Sequence, residues 1–290
     1  MDNLIRGITK DGSARIIVLN STNIVNRAVE IHTTAPTATA ALGRVLTAAS
    51  MMGSLLGEKD DLLTLRFKGD GEAGTVVATS DYMGNVRGFV QNPAADPPKH
   101  PNGKLNVAAA IGKGTMYVLR DAAGLPEPYV GALNIESGEI AEDIASYYAQ
   151  SEQTPTVCAL GVRVGKDYKC VSAGGVLLQL LPFADDEIID KLEENLKTIP
   201  PISNLVADYG LEEIAAMYLK GIEFELFDGM RADYRCACSR KKTDGALVSL
   251  GKKELEDMIA EGSAELRCQF CDVVYNYTAE ELKELLEKAK

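Results

Sequence analysis

Four of the six cysteines form two closely spaced pairs near the end of the 290-residue sequence. The first pair is Cys236-x-Cys238, and the second pair, Cys268-x-x-Cys271, follows after 29 intervening residues. Two such pairs, separated by a short structured insert, can bring four sulfur atoms to the corners of a tetrahedron, which is the closed coordination of structural Zn²⁺. The spacing therefore predicts a four-cysteine zinc site, and four unrelated buried thiols are the less favoured interpretation.

The residues around these pairs suggest a second role for the same site. Basic side chains flank both pairs and are expected to favour the thiolate form of cysteine; they are Arg235, Arg240, Lys241, Lys242 and Arg267. Paired thiolates that bind a metal can be oxidised to disulfides, which releases the zinc and removes support from a small domain. The spacing alone leaves two hypotheses open, a static zinc ribbon and a redox switch.

Charge and histidine content argue against several other functions. The formal net charge is −12, and residues 231–290 contain 11 Lys and Arg against 12 Asp and Glu. We therefore expect neither a nucleic-acid partner nor a membrane partner, since both need clustered positive charge. The two histidines, His32 and His100, are far apart in the sequence, which argues against a catalytic triad or a His-rich metal site. No signal-peptide pattern or membrane-length apolar run is present, so we expect a cytoplasmic protein with reduced thiols.

Two further motifs have simpler structural explanations. Residues 69–74 match the G-x-G-x-x-G pattern, but a β-branched run at 75–80 follows where a dinucleotide site requires a helix. This motif is predicted to be a hairpin turn. Glu139, Glu142 and Asp143 lie together at a predicted helix start, where the helix dipole favours carboxylates without any acid–base role.

The remaining cysteines, Cys158 and Cys170, lie within apolar strand-like runs. We interpret both as core residues, because free cysteine is among the most buried residue types. The sequence offers no nucleophile–base pair and no metal site with an open position, so we do not expect an enzyme.

The cysteines must be positioned by the surrounding strands and helices, and the sequence pattern of those elements predicts an α+β fold. Residues 1–181 are expected to form a core domain of antiparallel strands and helices, beginning with a hairpin around Asp11-Gly12 and a helix capped by Ser21 or Thr22. The predicted strands are 3–9, 14–20, 62–68, 75–80, 85–91, 115–120, 129–135, 156–164 and 169–181, and the predicted longer helices are 36–56 and 137–150.

Two further segments follow this core domain. Residues 182–230 are predicted to form a helical linker that has too little apolar surface to fold alone and must pack against a neighbour. Residues 231–290 are predicted to form a small C-terminal domain with a four-cysteine zinc site, which is the candidate redox-switch domain, and with amphipathic helices at 252–260 and 279–288. Thr278 and Glu281 supply a capping box for the last helix.

The sequence resembles the redox-regulated heat-shock holdases, a family also called the 33 kDa chaperonins. The likeness extends over nearly the whole chain in the same order. The residues that carry it are Arg235-Cys236-Ala237-Cys238-Ser239, Cys268-Gln269-Phe270-Cys271 with Tyr275, Ser151-Glu152-Gln153-Thr154-Pro155 after Tyr147-Tyr148, Gly174-Gly175 with Gln179 and Pro182, and Pro36-x-Ala38-x-Ala40-Ala41-Leu42-Gly43-Arg44.

The resemblance implies an N-terminal core, a helical linker and a C-terminal zinc domain. It implies that Cys236, Cys238, Cys268 and Cys271 hold one zinc ion in the reduced form. Oxidation would pair Cys236 with Cys238 and Cys268 with Cys271, release zinc, and unfold the zinc domain and the linker. The exposed apolar surface would then bind unfolding client proteins without ATP, typically as a homodimer.

Two alternatives to this function remain. A static zinc-ribbon binding module would keep its zinc and its activity under mild oxidation. A dithiol oxidoreductase ranks last, because the C-x-x-C pair lacks the strand-to-helix context of thioredoxins.

Overall fold

The computed structural model describes residues 2–122, 127–182 and 184–289. They divide into two compact units, Met1–Arg235 and Cys236–Lys290. Both units contain strands and helices, which confirms the predicted α+β class. The segment 182–230, predicted as a linker, belongs to the first unit, and the second unit begins five residues later than position 231.

The strands of the first unit form two antiparallel sheets. The first sheet contains β1 (Asp2–Thr9), β2 (Ala14–Asn20), β8 (Thr156–Val164), β9 (Cys170–Leu180), β10 (Phe224–Leu226) and β11 (Met230–Ala232). The second sheet contains β3 (Leu62–Gly69), β4 (Thr75–Asp81), β5 (Val86–Val90), β6 (Gly114–Asp121) and β7 (Tyr129–Asn134). The first sheet has the order β10-β1-β2-β9-β8, with β11 also paired to β1, and the second has the order β5-β4-β3-β6-β7.

The helices of the first unit fall into two groups. Those between the strands are α1 (Thr22–His32), α2 (Pro36–Gly53), α3 (Val107–Ile111) and α4 (Ala141–Ser151). Those of the linker are α5 (Asp186–Leu196), α6 (Ile202–Asp208) and α7 (Leu211–Tyr218).

Both hairpins predicted from turn residues are confirmed. β1 and β2 pair around a turn in which Gly12 has a φ of +75°, a left-handed value that glycine adopts without strain. β3 and β4 pair with Lys68 opposite Thr75, so residues 69–74 form a hairpin turn. A dinucleotide fingerprint is thereby excluded at this position, because no helix follows the glycines.

The cap of α1 differs in detail from the prediction. Ser21 occupies the N-cap position, but its hydroxyl lies 2.6 Å from Thr47 Oγ1 instead of capping the helix. The buried Asp2 carboxylate supplies the cap by accepting hydrogen bonds from the N–H groups of Asn23, at 3.1 Å, and Ile24, at 2.7 Å. This capping group comes from strand β1, so it depends on tertiary structure and is not visible in the local sequence pattern of the helix.

Helix α2 is the central element of the main core. Almost all its residues are buried, and its apolar side chains share one cluster with residues of both sheets. Small residues make this packing possible: a Cβ at Gly43 would lie only 2.9 Å from Cγ2 of Val162. Burial on all sides explains why this helix is rich in Ala, Gly and Met instead of being amphipathic.

The linker helices cover the other face of the first sheet. Helix α6 packs on β8 and β9, and α7 packs on β1 and β2. A second apolar cluster forms there, with Ile16, Val18, Val176 and Leu178 on the sheet and, among others, the fully buried Ile214 on the linker. Strand β9 is consequently buried on both faces, which is unusual for an antiparallel sheet unless a second layer covers it.

The residues just before the first cysteine are held by the first unit. Strand β11 pairs with β1, and the N–H of Val86 donates to the carbonyl of Asp233 at 2.9 Å. The buried Tyr234 donates its hydroxyl to the carbonyl of Gly88 at 2.7 Å. These contacts explain why the second unit begins at Cys236.

The second unit contains a β-hairpin and helices. Its elements are α8 (Arg240–Leu250), α9 (Lys252–Glu261), β12 (Ser263–Arg267), β13 (Val274–Thr278) and α10 (Ala279–Leu286). Helices α9 and α10 confirm the two predicted helices, whereas α8 and the hairpin were not predicted. The capping box is present, since Thr278 Oγ1 accepts from the Glu281 N–H and the Glu281 carboxylate accepts from the Thr278 N–H.

Candidate metal centre

The first cysteine pair lies directly before a helix. Cys236 and Cys238 precede α8, whose N-cap residue Ser239 accepts a hydrogen bond from the N–H of Lys242 at 3.4 Å. The start of this helix therefore fixes the chain that carries the first two sulfur atoms.

The second cysteine pair occupies the turn of the hairpin between β12 and β13. The N–H of Cys268 donates to the carbonyl of Val273 at 2.9 Å, and the N–H of Asp272 donates to the carbonyl of Cys268 at 2.8 Å. Asp272 closes the turn with a φ of +63°, a conformation that Asp tolerates better than most residues. This tight turn brings Cys268 and Cys271 to one end of the hairpin.

The structure brings all four predicted sulfur ligands together. The Sγ atoms lie within 4.8 Å of one another, with 3.7 Å between Cys236 and Cys268 and 3.3 Å between Cys238 and Cys271. A tetrahedron with Zn–S bonds of about 2.3 Å has sulfur–sulfur edges of about 3.8 Å. The four cysteines are thus clustered in position to bind a metal ion, and their soft sulfur donors fit zinc.

A tyrosine adds a polar contact to this cluster. The hydroxyl of Tyr275 donates to Sγ of Cys238 at 3.2 Å. This hydrogen bond, together with burial, raises the pKa of Tyr275 to about 12, so the hydroxyl keeps its proton at neutral pH. Tyr275 is one of the residues that carry the family resemblance, but the sequence pattern does not predict this contact.

The thiols differ in their surroundings. Burial raises the pKa of Cys236 and the pKa of Cys271 above the ordinary value. Burial also opposes ionisation of Cys238, but hydrogen bonds from Tyr275 and the neighbouring cysteines outweigh it and leave the pKa of Cys238 below its ordinary value. Of these three thiols, Cys238 is the one whose surroundings favour the thiolate.

Three of the flanking basic residues have carboxylate partners: Arg235 pairs with Asp233 at 3.7 Å, and the other two belong to the second unit. Arg267 binds both carboxylate oxygens of Asp272 at 3.0 Å, and Arg240 binds Glu281 at 2.6 Å. The guanidinium of Arg240 also lies 4.3 Å from the ring centroid of Tyr277. These two side chains thus stabilise the turn and the hairpin, and hydrogen bonds and burial account for the thiol pKa shifts.

The apolar core of the second unit is small. Its buried apolar cluster consists of Leu247, Leu255, Tyr277, Leu282, Leu285 and Ala289. A core of this size contributes little free energy of folding, so a bound metal would account for much of the stability of the unit.

Cys158, Cys170 and Asp143 have contacts that indicate a structural role. Cys170 is buried and Cys158 is part-buried, and burial raises the pKa of each to about 12, so both remain thiols at neutral pH. The Asp143 carboxylate accepts hydrogen bonds from backbone N–H groups, including those of Glu136 and Gly138, at the start of α4. It is a buried capping group, as the helix-start interpretation predicts.

Within the described ranges, the four cysteines form a group of ligand atoms close enough together to hold a metal ion. Over the same part of the chain, none of the helices combines the length and apolar character needed to cross a membrane.

Comparison with known proteins finds likeness over nearly the whole chain. The family model described as Hsp33 protein matches residues 2–278. The 33 kDa chaperonin of Clostridium botulinum (strain 657 / Type Ba4) is 43% identical over 289 residues, covering 99% of this chain and 97% of that protein. The 33 kDa chaperonin of Desulforamulus reducens is 42% identical over 289 residues, covering 99% and 98% of the two chains.

A solved structure agrees with these sequence matches. The crystal structure of the 33 kDa chaperonin (heat shock protein 33 homolog) from Thermotoga maritima superimposes with a TM-score of 0.91 at 36% identity. The match covers 99% of this chain and 98% of the other.

Proposed function

The chain belongs to the Hsp33 family, and from that premise we propose that it is a redox-regulated holdase chaperone that works without ATP. The curated relatives are named chaperonins, a name that does not denote an enzymatic reaction. The observation that carries the proposal is the cluster of four sulfur atoms within 4.8 Å, in a unit with a small apolar core. The proposed location is the cytoplasm, where the cysteines stay reduced until oxidant accumulates.

In the reduced form, Cys236, Cys238, Cys268 and Cys271 would hold one zinc ion. Zinc bound there would supply the cross-link between the start of α8 and the hairpin turn. The four thiolates fix the two segments against each other, and Tyr275 keeps its hydroxyl proton directed at Cys238.

Oxidation by a peroxide would remove these ligands. A cysteine thiolate attacks one peroxide oxygen, the O–O bond breaks, and hydroxide leaves as a sulfenic acid forms. A second thiolate then attacks the sulfenic sulfur, forms the S–S bond and displaces a second hydroxide. Each disulfide therefore consumes two thiolates and one peroxide, and two electrons pass from sulfur to oxygen. The proposed pairs are Cys236 with Cys238 and Cys268 with Cys271, as the family resemblance implies.

Loss of the four thiolates would unfold the second unit and then free the linker. Chain continuity supports this coupling, because β11 is followed within four residues by Cys236. Departure of α5–α7 would expose the face of the first sheet that carries Ile16, Val18, Val176 and Leu178. A contiguous apolar surface of this kind can bind many different unfolding proteins. We propose that the activated form is a homodimer.

The proposal is tested with a thermally unfolding client protein and the full-length chain. Reduced and peroxide-treated protein are compared at elevated temperature for free thiols, released zinc, molar mass in solution and light scattering of the client. We expect loss of four thiols, release of one zinc per chain, dimer formation and suppressed scattering only after oxidation. Equal suppression by the reduced, metal-bound form would overturn the switch. Zinc that stays bound under peroxide would instead support the static zinc-ribbon module.

A further inference from the structure

Within the described residues, the sulfur cluster has a hydrogen-bond donor outside the four cysteines: Cys238 accepts from the Tyr275 side-chain hydroxyl at 3.2 Å. This donor is removable by one substitution.

The position of Tyr275 is fixed independently of the sulfur. Its backbone pairs with Leu266 in the register of β12 and β13, and its ring is part-buried beside the apolar core of the second unit. The hairpin therefore places the Tyr275 hydroxyl within hydrogen-bond distance of Cys238 Sγ. This arrangement joins the hairpin to the first cysteine pair through a contact outside the four ligands.

We propose that Tyr275 is a positioning residue of the metal centre that sets how readily Cys238 leaves it. A hydrogen bond donated to a metal-bound thiolate stabilises its negative charge and engages an electron pair on sulfur. The same electron pair must attack the peroxide oxygen if Cys238 is to be oxidised. Tyr275 thus makes the centre more resistant to peroxide and strengthens its hold on the metal.

This inference rests on the metal centre within the proposed function and does not involve client binding. The chain offers a matched control on the same strand, Tyr277. Its hydroxyl lies 2.5 Å from Thr243 Oγ1 and donates to Asp244 at 2.8 Å, and no hydrogen bond joins it to the described sulfurs. Tyr275→Phe and Tyr277→Phe each remove one phenolic oxygen from β13, but only the first changes the surroundings of a ligand.

The test uses the full-length chain loaded with Co²⁺ or Zn²⁺. With Co²⁺, we expect the thiolate-to-metal charge-transfer band of Tyr275→Phe to shift to lower energy, because the thiolate charge is less stabilised, while that of Tyr277→Phe stays with the wild type. With Zn²⁺, we expect the dissociation constant of Tyr275→Phe to rise about tenfold and peroxide-driven zinc release to accelerate about three- to tenfold.

The outcomes separate the two proposals. A wild-type chain that binds neither metal would overturn the metal centre together with this inference. A wild-type chain that binds zinc, with band position and release rate unchanged in Tyr275→Phe, would overturn only the role of Tyr275. Equal acceleration in both variants would also overturn it, since loss of hairpin stability would then explain the effect. If Tyr275→Phe alone fails to take up metal, the hydroxyl positions Cys238 for binding itself, which supports the proposal.

Discussion

A site made of sulfur alone combines two properties that nitrogen and oxygen ligands do not combine. Thiolate binds zinc strongly, and the same atom can be oxidised by two electrons and thereby cease to be a ligand. The four Sγ atoms within 4.8 Å share both properties, whereas Cys158 lies outside the cluster with its pKa raised to about 12 by burial. Residue type and spacing predicted the four ligands. The contact from Tyr275 was not predictable, because it depends on the register of a hairpin that closes through Cys268 and Cys271.

Replacement of one cysteine ligand tests how much the metal contributes to the stability of the second unit. We expect Cys268→Ser to abolish tight zinc binding and to unfold the second unit, while the first unit stays folded. A core of this size rarely supplies more than about 3–5 kcal/mol, whereas structural zinc sites contribute about 10–16 kcal/mol. Metal content and amide hydrogen exchange measure both effects.

Cys158→Ser is the matched control for this substitution. It changes a cysteine that is part-buried in β8 and distant in sequence from the cluster, so zinc content and protection of the second unit should match the wild type. Protected amides throughout residues 236–289 in Cys268→Ser would show that the fold of the second unit does not need the metal.

At the scale of elements, some helices and strands are specified by local sequence, and others form only through pairing with distant strands. Three local signals were used: the Asp11-Gly12 turn, the β-branched runs of the strands, and apolar residues at helical spacing. The elements that they predicted are present. Strands β10 and β11 have three residues each and exist because they pair with β1, more than 200 positions earlier in the chain. Strand β12 alternates between exposed and part-buried residues, but it is only five residues long and lacks β-branched and aromatic side chains, and it pairs with β13 across the cysteine turn. The two strands β10 and β11 were thus missed because their stability depends on pairing with a distant strand.

The proposed release of the linker helices gives an element-scale prediction. Ile214 of α7 is fully buried against the first sheet. We expect Ile214→Ala to cost about 2–5 kcal/mol, mostly as a loss of linker docking. Reduced protein carrying this change should suppress client aggregation without oxidation, and it should retain its zinc.

Light scattering of the client and metal analysis provide the measurements, and amide exchange in α5–α7 reports the docking. Ile24→Ala is the matched control, since Ile24 is equally buried but belongs to the main core around α2. It should destabilise the first unit without making the reduced protein an active holdase. Activation by both substitutions alike would mean that general destabilisation, and not linker release, exposes the client-binding surface.

At the scale of the whole molecule, two tendencies oppose each other in the activated state. Exposure of the apolar sheet face and the linker favours self-association, while a net charge of −12 makes the molecules repel one another. The acidic side of α5 contributes to this repulsion, with Asp190, Glu193 and Glu194 all exposed. A chaperone that exposes apolar surface stays in solution only if repulsion limits growth beyond the active assembly.

Charge reversal on this helix tests that balance. Replacement of Asp190, Glu193 and Glu194 by Lys changes the formal net charge from −12 to −6. At low ionic strength we expect the oxidised variant to form particles larger than the wild-type assembly, whereas the reduced variant, with its apolar face covered, should stay unchanged.

In wild-type oxidised protein, NaCl should have the same effect, because the Debye length falls from about 10 Å at 0.1 M to about 3 Å at 1 M. Light scattering of the chaperone without client measures particle size in each case. Salt also strengthens apolar association, so the variant at low salt is the decisive comparison: an oxidised variant no larger than the oxidised wild type would rule out charge as the factor that limits assembly.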